Sequence, residues 1–204
     1  MKLKTDLPQN QKRIGLTGGI ASGKSTISKY IHIQKKIHVL DADCYSKKLI
    51  MPGEKSYQKI IDRYGTDIIN NRSPMQEIIT KKLRTIIFNN SSEKIWIENL
   101  LHPLIKHQMM NDCINFKNQK TLILVIPLLF EADFNDLCTE IWLVKCSEES
   151  QRKRLIKRED INIEEANKLI YSQMSIQEKE EKSDVILINE NDGSDWQQKL
   201  DKLL

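Results

Sequence analysis

Short apolar runs alternate along this chain with longer stretches of helical spacing. Arg13-Ile14-Gly15-Leu16-Thr17 reads as a strand feeding a glycine-rich turn. Thr26 to Ile33 has the apolar spacing of a helix, and His38-Val39-Leu40 is a second short strand ending at Asp41. Together they open a β-α-β unit. Leu122-Ile123-Leu124-Val125-Ile126 is apolar at every residue and stops at Pro127, as a central parallel strand covered on both faces does. Ile141-Trp142-Leu143-Val144 and Val185-Ile186-Leu187-Ile188 add two more candidates. Five strands separated by helical stretches predict an α/β fold with a doubly wound parallel sheet.

Between the second and third strands lie roughly eighty residues, about Cys44 to Lys120, charged and helix-patterned; that is too long for a plain crossover and predicts a helical insertion over the sheet edge. Residues 1–11 read as a disordered leader without the apolar segment of a secretory signal, and no run approaches a membrane span. A cytoplasmic protein with no membrane partner is the expectation. The 204 residues carry 32 basic and 28 acidic side chains, net +4. So even a balance gives no reason to expect a nucleic-acid partner, while an anionic small molecule suits it. Cys44, Cys113, Cys138 and Cys146 have no metal-site spacing and read as free thiols.

Gly18-Gly19-Ile20-Ala21-Ser22-Gly23-Lys24-Ser25 matches G-x-x-x-x-G-K-[ST] in full, after a predicted strand and before a predicted helix. Glycines let such a loop turn its N–H groups around phosphate oxygens, and the helix start adds its positive dipole end. Lys24 is placed to meet the β- and γ-phosphates, and the Ser25 hydroxyl to ligate Mg²⁺ bound with ATP. The ATP-binding set is therefore Gly19, Ala21, Ser22, Gly23, Lys24, Ser25 and Thr26. A dinucleotide loop fails on spacing, because Leu16, Ile20 and Ala21 stand where its glycines would be required. A GTPase reading fails because no N-K-x-D guanine reader occurs.

Asp41-Ala42-Asp43 lies where the second strand meets its loop. Alternation along an extended segment predicts that both acids point the same way, toward the phosphates and Mg²⁺. One could order the metal's water and the other accept the proton of an attacking hydroxyl. Further on, Glu148 and Glu149 stand four residues before Arg152 and Lys153 and predict ordinary surface pairs. Arg154 and Arg158 share a helical face with no acid at that spacing, so a transferring phosphoryl group is their expected common partner.

The stretches Ile14 to Thr26, Asp41-Ala42-Asp43, Leu101-His102-Pro103-Leu104-Ile105 and Pro127-Leu128-Leu129-Phe130-Glu131, then Gln151 with Arg154 and Arg158, and Gln173, occur in one order. Through them the chain resembles the dephospho-CoA kinase family. The phosphate loop alone is generic, whereas D-A-D, H-P-L-I and P-L-L-F-E in sequence are specific. The resemblance implies a P-loop NTPase-type parallel five-stranded sheet flanked by helices, with the core at 12–43 and 120–204. It also implies a helical substrate-binding insertion over about 44–120 and a small lid over about 150–175. The implied reaction moves the γ-phosphate of ATP to the ribose 3′-hydroxyl of dephospho-CoA, the last step of coenzyme A synthesis; separately, a monomer is the expectation. The implied base is Asp43, with Lys24, Arg154 and Arg158 completing the catalytic set and Asp41, His102 and Glu131 on the substrate side. His102 before Pro103 also reads as a structural cap. Ala21 replaces a glycine usual in this loop, a mild change if its φ is negative. The family's Asp-Gly and following Arg are missing around Met75 to Lys81, with Thr80 near the arginine's place. A kinase for a nucleoside or nucleoside monophosphate, and an ATP-sensing regulator, are the alternatives.

Overall fold

The computed structural model describes residues 7–71, 73–190 and 194–204; the first six residues of the expected leader lie outside them. The strands are β1 (Lys12–Gly18), β2 (His38–Asp41), β3 (Thr121–Val125), β4 (Glu140–Lys145) and β5 (Val185–Ile188). All pair in parallel, in the order β2-β3-β1-β4-β5. From the adjoining β1 and β3 the chain continues in opposite directions, to β2 on one side and β4 on the other. Such a switch opens a crevice beyond the carboxyl ends of the two strands.

One face of the sheet presents Ile14, Leu16, Ile123, Val125, Trp142, Val144 and Leu187, alternate residues as the pleat requires. They pack with Ile27 and Ile31 of α1 (Lys24–Gln34) and Trp196 and Leu200 of α9 (Ser194–Leu203). Leu122, Leu124 and Leu143, on the other parity, are also fully buried, which explains why these strands are apolar throughout. The helices α6 (Glu148–Glu159), α7 (Ile163–Tyr171) and α8 (Ile176–Glu181) fill the stretch between β4 and β5.

The chain divides into two compact units, Met1–Asp41 with Cys113–Leu204, and Ala42–Asp112. The second unit is helical: α2 (Ala42–Leu49), α3 (Lys55–Tyr64), α4 (Thr80–Asn89) and most of α5 (Ser91–Asn115). Arg63 grips Glu93 through two bonds of 2.6 and 2.9 Å and lies over the Trp96 ring at 4.5 Å, tying α3 to α5. Around Met75 to Lys81 the turn is made by Gln76 at φ 50, whose carbonyl accepts the Tyr57 hydroxyl at 2.6 Å.

The expected leader is too long at its carboxyl end. Leu7 is buried, and the Gln11 side-chain amide donates to the carbonyls of Phe116 at 2.8 Å and Cys113 at 3.3 Å. Carbonyls at the end of α5 have no helical donors, and Gln11 supplies one. Among the described residues no helix is long and apolar enough to cross a membrane.

Candidate active site

β1 ends at Gly18 and α1 begins at Lys24, so the loop between them lies at the crevice. Gly18 has φ 151, and a Cβ there would stand 2.3 Å from the Val144 carbonyl; Gly23 has φ 98, and a Cβ would stand 2.0 Å from the Asn189 amide nitrogen. Neither position admits a side chain. Gly23 is also the N-cap of α1, so no side chain caps the helix, and no acid occupies its first turn. No side chain therefore offsets the positive end of the helix dipole, the arrangement that receives phosphate. Lys24 Nζ donates to the carbonyls of Gly18 at 2.8 Å and Gly19 at 2.9 Å, which lays it over the loop. Ser25 and Thr26 are exposed on the first helical turn. Ala21 stands at φ 57, against the negative φ under which its substitution for glycine is mild, so it carries left-handed strain.

Arg154 and Arg158 of α6 diverge. Arg154 donates to the carbonyl of Asn189 at 3.0 Å and that of Ser22 at 3.4 Å, so it flanks the loop itself. Arg158 pairs with neighbouring Glu159 at 2.9 Å and is more than half exposed. Glu148 and Glu149 do pair with Arg152 and Lys153, at 3.8 and 2.5 Å. Arg152 nonetheless has a further tie, its Nε donating to Asn167 of α7 at 2.7 Å. The amino end of α6 is held by Glu190, just past β5. Glu190 accepts from the Ser147 amide and the Ser150 hydroxyl, and the Ser150 bond keeps its carboxyl below the ordinary range.

Asp41 is the last residue of β2, but α2 begins at Ala42, so Asp43 lies in the first turn of a helix. The expected strand alternation of the two acids therefore does not occur; β2 ends before the second acid. His102 is inside α5, next to Pro103, so the cap reading is corrected as well. Burial chiefly holds its imidazole below the usual pKa; Lys94 adds to this and Glu98 opposes it. Glu131, after β3, meets Lys179 at 2.8 Å and the Met174 amide at 3.1 Å.

The dephospho-CoA kinase family profile matches residues 12–195. A dephospho-CoA kinase of Prochlorococcus marinus (strain MIT 9312) is 53% identical over 197 residues, covering 96% of each chain. The chain belongs to the dephospho-CoA kinase family. As a member of that family it is an ATP-dependent kinase. The dephospho-CoA kinase of Synechocystis sp. (strain ATCC 27184 / PCC 6803 / Kazusa) is 38% identical over 96% of each chain. A dephospho-CoA kinase structure from Campylobacter jejuni superposes with a TM-score of 0.66 at 26% identity, covering 94% of both chains. A Thermus thermophilus structure reaches 0.77 at 22% identity over 96% of this chain and 97% of its own, a likeness of fold alone.

Around the kinase's phosphate loop stand residues that no spacing rule singled out. Asn189 closes β5 with its side-chain amide on the Ser22 carbonyl at 2.7 Å. Gln173 and Lys179 also reach the loop or the strand ends behind it. Gln173 has a sequence signal in the family resemblance. For Lys179 the signal is nil, because a lysine in a charged hexamer reads as solvated.

Proposed function

We propose that the chain transfers the γ-phosphate of ATP to the ribose 3′-hydroxyl of dephospho-CoA with the phosphate loop as its donor site. The observation that carries this is the glycine-built turn with Lys24 laid across it and an uncapped helix start behind it. In this reading the loop amides and Lys24 hold the triphosphate, Lys24 exchanging its loop carbonyls for phosphate oxygens. Ser25 and Asp41 offer hard oxygen donors of the kind Mg²⁺ takes, and Mg²⁺ bound with ATP neutralises charge on the transferring phosphoryl. The Asp43 carboxylate takes the proton of the attacking hydroxyl. Arg154 and Arg158 on the lid stabilise the charge that develops in transfer. The unit Ala42–Asp112, with His102, binds the acceptor. One chain carries every one of these groups, so a monomer in the cytoplasm suffices.

The test is ADP release by the purified protein with ATP, Mg²⁺ and a panel of acceptors. Dephospho-CoA should stimulate release well above nucleosides and nucleoside monophosphates, with 3′-phosphorylated product found by mass spectrometry. No excess over the nucleosides would return the nucleoside kinase reading.

A further inference from the structure

Lys179 is the one lysine among the described residues whose side chain is fully buried. An ammonium group out of water is retained only with compensating partners. Its Nζ lies 2.8 Å from Glu131 Oε1 and 3.4 Å from the Pro127 carbonyl. That carbonyl also accepts the Thr17 hydroxyl at 3.2 Å, and Thr17 is the residue before the first loop glycine. The pair thus fixes α8 against the carboxyl ends of β1 and β3. The same Glu131 oxygen accepts the Met174 amide at 3.1 Å. One residue earlier, Gln173 Oε1 accepts the Ile20 amide of the phosphate loop at 2.8 Å.

We propose that Gln173 is a positioning residue of the phosphate loop, held there by the ion pair that Glu131 makes with the buried Lys179. The inference rests on Gly18–Ser25 being the phosphate site. A loop that turns amides inward must satisfy those that phosphate does not reach, since an unpaired buried N–H is costly. Gln173 takes the Ile20 amide and leaves those nearer α1 for the ligand. Its reach depends on the backbone at Met174, which Glu131 anchors, and Glu131 keeps its place only while Lys179 supplies the countercharge. Glu131 therefore acts on the donor side through Gln173 rather than on the acceptor.

Steady-state kinetics and thermal unfolding test this in four variants. Gln173→Ala should raise the KM for ATP about fivefold, the worth of one such hydrogen bond, with the thermal midpoint and the KM for dephospho-CoA near wild type. Glu131→Gln strands a buried ammonium group, so it should lower the midpoint and raise the KM for ATP. Adding Lys179→Met removes the stranded charge while the position-131 carbonyl still accepts the Met174 amide, and both values should move back toward wild type. An unchanged or lowered KM for ATP in Gln173→Ala overturns the proposal; a lowered one identifies Gln173 as a plug that phosphate displaces. A raised KM for dephospho-CoA alone in Glu131→Gln, or a stable double variant with no recovery, overturns the part given to the pair. Lys24→Ala separates the two levels: if it stays active the phosphate-site reading falls too, and if it is dead while Gln173→Ala is unaltered, only this inference falls.

Discussion

At the scale of single residues, backbone and charge act on the same loop in different ways. Ala21 holds φ 57, where an L-residue pays roughly 1–2 kcal/mol that glycine does not. Glycine returns part of that gain as extra freedom in the unfolded chain. Ala21→Gly should therefore stabilise the protein by about 0.5–1 kcal/mol, read as a higher urea midpoint with an unchanged slope. A destabilised variant would show that the alanine methyl makes packing worth more than the strain. Asp43 is tested by the rate instead. Asp43→Asn should cut turnover by about 10²-fold or more with little change in ATP affinity, as loss of a positioned base does. Parallel loss of ATP binding would make Asp43 a nucleotide or metal ligand.

At the scale of elements, α6 carries three arginines with three different attachments. Exposed Arg158, paired only with Glu159 among the described contacts, should lose kcat by about 10²- to 10³-fold on replacement by Ala, the range for one electrostatic stabiliser. Arg154 also grips the carbonyls of Ser22 and Asn189, so Arg154→Ala should depress kcat and raise the KM for ATP together. Arg152 joins α6 to α7 through Asn167, so Arg152→Ala should cost about 1 kcal/mol of stability. Lys153, exposed and paired only with Glu149 among the described residues, is the silent control. Equal small losses at all three arginines would reduce α6 to a solvated face. Strand positions were legible because β3 and β4 are buried on both faces, and burial leaves an apolar run. The phosphate loop was legible because glycine, lysine and hydroxyl are demanded at fixed spacing. The turn of Asp43 into a helix was not, since β2 is only four residues long and one residue decides whether its register continues. The burial of Lys179 was not either, because it depends on contacts 48 and 52 residues away in sequence, at Glu131 and Pro127.

At the scale of the whole molecule, the perturbed groups fix the pH window of stability. His102 in the helical unit is held below the ordinary imidazole range by burial. As pH falls below the unfolded value near 6.5, the unfolded chain binds a proton that the folded one resists, and stability drops. Glu190 at α6 is held low by the Ser150 hydroxyl, and Glu140 is held low against its burial by bonds from Lys12 and Trp142. Their stabilisation is present above the unfolded carboxylate value near 4.5 and is lost as pH falls through the folded values, so the acid side loses stability in two stages. On the alkaline side, burial pushes the Cys138 thiol from 9.0 up to about 12. A raised folded value means that the stability is complete below the unfolded pKa near 9 and is lost as pH rises toward 12. The urea midpoint should thus be flat from about pH 6.5 to 9, with a shoulder below it and a decline above. His102→Gln should erase the shoulder between pH 6.5 and 5, and Cys138→Ala should reduce the alkaline decline, leaving the part due to Tyr64 and Cys146, which burial also raises, even though it lowers the plateau by opening a cavity. Each variant controls for the other, since His102 lies in Ala42–Asp112 and Cys138 in Cys113–Leu204. A wild-type acid shoulder that persists in His102→Gln would move that titration to another group.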